Sequence, residues 1–211
     1  FPASVTTRGQ EILTAPACLT VAGAAVVPER FAVRSESPVR VELASGSDGG
    51  AFALSQDSWM EYDGVFFTRV TLKARRDLGP VAFSLPVAAE TAKYLHATFA
   101  GFGGGGRKNL PLDRDRELAF HPSIWIGDEE KGIAWFAESP AGWKTGTPFP
   151  VRILREGTTT RLEIRFADRL RSGEELSLEF GLLATPVKPL PAGYPLTVFG
   201  GGYPVHLNRP D

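Results

Sequence analysis

Cysteine is almost absent: Cys18 is the single one in 211 residues. That excludes an internal disulfide and any zinc site built on several thiolates. Cys18 opens the apolar run CLTVAGAAVV, where a small buried hydrophobe is expected. Histidine is scarce too. His96, His121 and His206 are the full set, and no two stand at i, i+2 or i, i+4 spacing. A compact local metal motif is therefore missing, and neither metal nor other cofactor is expected. No apolar run approaches the length of a membrane-spanning helix. A formal net charge of −1 supplies no field to draw in nucleic acid or an anionic membrane. The basic pairs at Arg75-Arg76 and Arg169–Arg171 are isolated and flanked by acids, unlike the basic stripe of a nucleic-acid surface. The opening FPASVTTRGQ lacks the basic and apolar regions of a signal peptide. A start at Phe is expected of a mature or trimmed product.

What is abundant is punctuation. The 23 Gly and 17 Pro break the chain into short apolar runs. With 43% hydrophobic residues, the chain can bury a sizeable core. Many runs alternate. Val39, Val41 and Leu43 are interleaved with Arg40 and Glu42; Leu162, Ile164 and Phe166 with Arg161, Glu163 and Arg165; Leu176, Leu178 and Phe180 with polar partners. Period-2 alternation marks strands with one wet face. Leu19–Val27, Arg30–Arg34, Ala51–Ser55 and Val81–Val87 read as further strands, and Ser45–Gly50 as a polar turn. Asp63-Gly64 joins Trp59–Tyr62 to Val65–Leu72, and Arg155–Thr159 joins Val151–Leu154 to Thr160–Phe166. Hairpin after hairpin predicts an all-β fold, a β-sandwich of two antiparallel sheets with little helix. The helix expected is a short one at Ala88–Phe99, AAETAKYLHATF. GFGGGGRKNL, at Gly101–Leu110, has no Gly-Lys-Ser/Thr and no strand-to-helix junction around it, so it reads as a surface loop rather than a phosphate cradle.

Three of the four Trp fall between Phe120 and Trp143, in FHPSIWIGDEEKGIAWFAESPAGW. SIWIG and GIAWFAE flank the acidic turn Asp128–Gly132, a hairpin signature. Trp125 and Trp135 sit inside the apolar strands and are expected in the core. Trp143 follows on a loop, which makes it the better platform for the apolar face of a sugar ring. Asp128 and Glu138 are candidate acceptors for sugar hydroxyls, and His121 at a strand end is a candidate for lining a cleft. Acidic residues are also common in turns simply because turns are wet, and this explains Glu129, Glu130 and Asp63. No carboxylate pair stands out as the acid and base of a glycosidase. No G-x-S-x-G elbow supports a Ser-His-Asp triad. No catalytic residue is assigned.

Four landmarks carry a family resemblance: EYDG at Glu61–Gly64, YLHA at Tyr94–Ala97, WIGDEEKGIAWFAESPAGW at Trp125–Trp143, and TPVKPLP at Thr185–Pro191. Their order resembles the N-terminal β-sandwich domain of bacterial glycoside hydrolase family 123-like proteins. The resemblance covers roughly residues 15 to 192. It implies a sandwich over residues 1–190 and, over 191–211, a linker or the start of a C-terminal catalytic barrel. It also implies an extracytoplasmic or secreted protein that degrades polysaccharide, with the catalytic acids in the barrel. The expected role is an accessory, non-catalytic domain that supports the barrel or binds carbohydrate. Two alternatives stay open. The sandwich could itself be a carbohydrate-active lyase or hydrolase using His121, Glu138 and Tyr62, or it could be a purely structural interdomain module.

Overall fold

The computed structural model describes residues 1–98 and 109–187, with strand backbone at 198–200 and 203–205. Residues 101–108 of the Gly-rich loop, Pro189, Pro191 and His206 lie outside the described residues, as does most of 191–211. The chain runs through β1 (Thr6–Thr7), β2 (Gln10–Glu11), β3 (Cys18–Val21), β4 (Ala24–Ala25), β5 (Arg30–Glu36), β6 (Arg40–Ser47), β7 (Phe52–Glu61) and β8 (Val65–Ala74). It continues through β9 (Val81–Ala88), β10 (Tyr94–Thr98), β11 (Leu110–Pro111), β12 (Arg116–Leu118), β13 (Ser123–Gly127) and β14 (Gly132–Phe136). It ends in β15 (Val151–Glu156), β16 (Thr159–Ala167), β17 (Glu175–Thr185), β18 (Val198–Gly200) and β19 (Tyr203–Val205).

Two large sheets result. One has nine strands in the order β11-β10-β13-β14-β17-β8-β7-β6-β5, the other six in the order β12-β15-β16-β9-β3-β4. Every pairing between named strands is antiparallel. This is the all-β fold that the alternation predicts. The inner faces meet in one core. Phe83 and Phe166 of the six-stranded sheet touch Phe180 of the nine-stranded sheet, at ring-centroid distances of 4.9 and 5.7 Å. Each fully buried side chain of this size contributes about 1.5–3 kcal/mol by leaving water. The nine-stranded sheet is the wider one, and at its β5 edge Phe31 and Val33 remain 69% and 54% exposed.

Several boundaries differ from the sequence reading. The run Leu19–Val27 is two short strands, because Ala22 and Gly23 turn the chain with φ of 51° and 80°. Ala51–Ser55 and Trp59–Tyr62 are one continuous strand, β7. The helix expected at Ala88–Phe99 is absent among its described residues. A turn at Glu90 and Thr91 leads straight into β10. The helix-favouring Ala, Glu and Lys lost to pairing on both sides: Leu95 is fully buried and opposes Ile126 on one strand and Leu110 on the other.

Candidate functional site

The Trp hairpin forms as its sequence indicates, with Trp125 opposite Ala134 and Ile124 opposite Trp135. Alternation then sends the two Trp to opposite faces. Trp135 points inward and is fully buried. It meets Trp143, Phe120 and Phe180, and its indole N–H finds no acceptor among the described residues. Trp125, expected in the core, is instead half-buried on the outer face. Its Nε1 donates to Thr185 Oγ1 at 3.0 Å. The ring covers Gly127 and Gly132, and a Cβ on Gly132 would stand 2.7 Å from it. Those two glycines leave the space that Trp125 occupies.

The outer face of the nine-stranded sheet carries a row of aromatic rings set by strand register. Phe136 opposes Gly181, Gly181 opposes Phe67, and Phe67 opposes Trp59. Because Gly181 has no side chain, Phe136 leans across β17 and comes within 6.1 Å of Phe67. Phe67 in turn lies 4.7 Å from Trp59. All three rings are half-buried and the face is open to solvent. Ion pairs border the row: Arg69 with Glu179 at 2.9 Å, Arg40 with Glu42 at 3.0 Å, and Arg34 with Asp57 at 2.9 Å. Arg40 and Arg69 also lie over Trp59, at 4.7 and 5.5 Å from the ring centre. Exposed pairs of this kind hold side chains in place more than they stabilise the fold.

Next to the row, where β14 ends, the loop 138–143 and β17 enclose a cleft of about 210 Å³. Phe67, Glu138, Ser139, Trp143, Ser177 and Glu179 line it. Of the residues singled out in the sequence, the fold brings Glu138 and Trp143 together here. Trp143 forms part of the cleft wall. It is half-buried, with its ring packed edge-on against Phe166 at 4.9 Å and Phe120 at 5.4 Å. Glu138 is exposed, with no hydrogen bond or ion pair among the described residues.

Asp128 and His121 are not in the cleft lining. Asp128 lies at the opposite end of β14, in the hairpin turn. Its Oδ1 accepts the N–H of Glu130 and of Lys131, at 2.8 and 2.9 Å, and its Oδ2 accepts Lys131 Nζ at 2.9 Å. Burial alone would push its pKa up. The hydrogen bonds from Lys131 and the turn backbone outweigh burial and hold the carboxyl below its ordinary value. His121 is half-buried in the loop ahead of β13. No group of three His, Cys, Asp or Glu among the described residues could hold a metal ion. Among the described residues, no helix is long and apolar enough to cross a membrane.

Residues 2–137 match the family model for the glycoside hydrolase 123 third domain. The chain belongs to the glycoside hydrolase 123 family. The match bears out the family resemblance of the motifs, and it is to a third domain where the motifs had implied an N-terminal one. The match takes in Trp59, Phe67, Trp125 and Phe136 but stops just before Glu138 and Trp143. No curated protein matches this glycoside hydrolase 123 domain. Among solved structures it is similar to a proposed aldose 1-epimerase from Escherichia coli K12, at 13% identity and a TM-score of 0.45, over 86% of this chain and 78% of that one. It is also similar to a proposed kojibiose phosphorylase from the human microbiome, at 7% identity and a TM-score of 0.38, over 80% of this chain and 21% of that one. Both likenesses are remote.

Phe67, Phe136, Arg40, Arg69 and Glu179 do not stand out in the sequence. The alternation in VFFTRVTL and ELSLEFGLL shows that Phe67, Arg69 and Glu179 share an outward face. Which of them meet depends on pairing between strands more than 100 residues apart.

Proposed function

We propose that this chain is an accessory, non-catalytic domain of a secreted bacterial glycoside hydrolase, binding carbohydrate beside a catalytic barrel of the same polypeptide. The observation that carries this reading is the solvent-facing row Phe136–Phe67–Trp59 with the cleft of Glu138, Ser139, Ser177 and Glu179 next to it. Sugar rings have one apolar C–H face and a rim of hydroxyls. Half-buried rings suit the first, and serine hydroxyls and carboxylates suit the second. Family membership supports a carbohydrate context. Aromatic contacts contribute about 0.5–1.5 kcal/mol each. Two or three of them with a few hydrogen bonds give an affinity near the millimolar range.

A glycan array followed by NMR titration of the chain tests this. The expected result is weak binding that shifts Phe67 and Phe136 resonances and is reduced at least fivefold by Phe67→Ala. Binding that leaves these resonances untouched moves the site elsewhere, and no binding to any glycan leaves a structural module. A catalytic reading draws on Glu138 and Glu179 lining one cleft. Turnover of aryl-glycosides or oligosaccharides by the chain, abolished by Glu138→Gln, would replace the accessory reading with that one.

A further inference from the structure

The charges around the cleft point to the kind of sugar it would take. The guanidiniums bordering the aromatic row are engaged, Arg69 by Glu179 and Arg40 by Glu42, and both also rest on Trp59. The cleft lining itself contains two carboxylates, Glu138 and Glu179, and no Lys, Arg or His. Once Arg69 is counted against Glu179, Glu138 remains as an uncompensated negative charge beside the serine hydroxyls. A carboxylate with free lone pairs is an acceptor for sugar hydroxyls, and such charge-assisted hydrogen bonds are roughly twice as strong as neutral ones. Toward another anion it is repulsive. Like charges about 4 Å apart lose about fivefold in affinity even at the dielectric of bulk water, and more at a protein surface. The volume adds a second limit. At about 210 Å³ the cleft is smaller than the roughly 300–1,000 Å³ typical of drug-sized ligands. It has space for one ring, with further rings passing over Phe67 toward Trp59.

We propose that the cleft seats one uncharged pyranose ring through Glu138 and discriminates against uronic and sulfated sugars. The proposal rests on the carbohydrate-binding reading above and adds the class of sugar. Glu138 is the specificity-determining residue. Its carboxylate accepts ring hydroxyls, and its charge repels an acidic substituent. Ser139 and Ser177 complete the polar rim, and Phe67 supplies the apolar floor.

The test uses matched ligands and three proteins. A panel of neutral 1,4-linked hexaoses and their C6-oxidised uronate counterparts is titrated by NMR into wild type, Glu138→Gln and Glu138→Lys. Wild type is expected to bind a neutral hexaose at least fivefold more tightly than its uronate. Glu138→Gln narrows that ratio to within about twofold, and Glu138→Lys reverses it. Glu138 is exposed, so neither change should alter the melting temperature, and unchanged melts show that the ratios report on the site. An equal or tighter affinity of wild type for uronates overturns the proposal, as does a neutral preference that persists in Glu138→Lys. In those cases glycans still bind and the accessory reading stands. Absence of binding to every member of the panel overturns both.

Discussion

The ring of Phe136 covers Gly181, its partner on the neighbouring strand, so closely that any Cβ at 181 would overlap it. Gly181→Ala must therefore push the ring off the sheet. Overpacking of this kind costs about 1–3 kcal/mol, and the low end is expected because Phe136 can swing toward solvent. The check is a double-mutant cycle by urea unfolding. In a Phe136→Ala background, Gly181→Ala should become nearly neutral. A cost that survives the removal of Phe136 would show that the backbone itself demands glycine at 181.

Trp125 and Trp135 are ten residues apart in one hairpin but belong to different environments. Trp135→Ala empties a fully enclosed volume and should cost about 3–5 kcal/mol. Trp125→Ala removes a half-buried ring and its hydrogen bond to Thr185, and should cost about 1–2 kcal/mol. Chemical denaturation of both variants decides the order. Equal costs would mean that the outer face is packed as firmly as the core.

Asp128 clamps the hairpin turn, and Asp128→Asn should cost about 1–3 kcal/mol at neutral pH by weakening its bonds to Lys131 and the turn backbone. The pH dependence has a definite sign. The folded pKa lies below the value of about 3.9 for an unfolded Asp. The stabilisation is therefore complete above that value and is lost as pH falls through the folded pKa. Glu11, Glu129 and Glu174 are also shifted down, so wild type loses stability in acid through several groups. The difference between wild type and Asp128→Asn isolates one of them. It should shrink on going from pH 6 to pH 2 in unfolding titrations.

A polar chain crosses the inner face of β7 and β8. Gln56 Nε2 donates to Ser58 Oγ at 3.0 Å, and the hydroxyls of Ser58 and Thr68 are 2.8 Å apart. All three residues are buried. Thr68→Val strips Ser58 of a partner and should cost about 1–3 kcal/mol. Ser58→Ala with Thr68→Val should cost less than the sum of the two, because the second change leaves no further hydroxyl unpaired between them. Additive costs in thermal or urea unfolding would show that water replaces the missing partner.

The all-β class was readable because β16 and β17 alternate cleanly, with Leu162, Ile164, Leu176 and Leu178 all buried as their period requires. The Asp63-Gly64 turn was readable because its chemistry is local: Gly64 has a φ of 94°, and Asp63 Oδ1 accepts the N–H of Val65 at 3.1 Å. Strand β10 was not, since Ala, Glu and Lys around it favour helix in isolation and only pairing with β13 makes it extended. Trp125 was misplaced because apolar neighbours on both sides suggest a core position, while the parity of Ile124 and Ile126 already put it on the other face. The candidate site was half readable. Glu138 and Trp143 are five residues apart on one loop. Glu179, Ser177 and Phe67 reach the same cleft only through the register of β17 against β8.

The edge strand β5 changes register against β6 between Val33 and Ser35. A sheet whose last strand kept a regular ladder would present a template to which any other extended chain could add. The bulge interrupts that template halfway along, and Arg30, Arg34 and Glu36 place charges beside it. An approaching strand can align with the residues before the bulge or with those after it, but not with both. The β5 margin, where Phe31 and Val33 stand exposed, thus offers an added strand only short stretches of ladder on either side of the bulge.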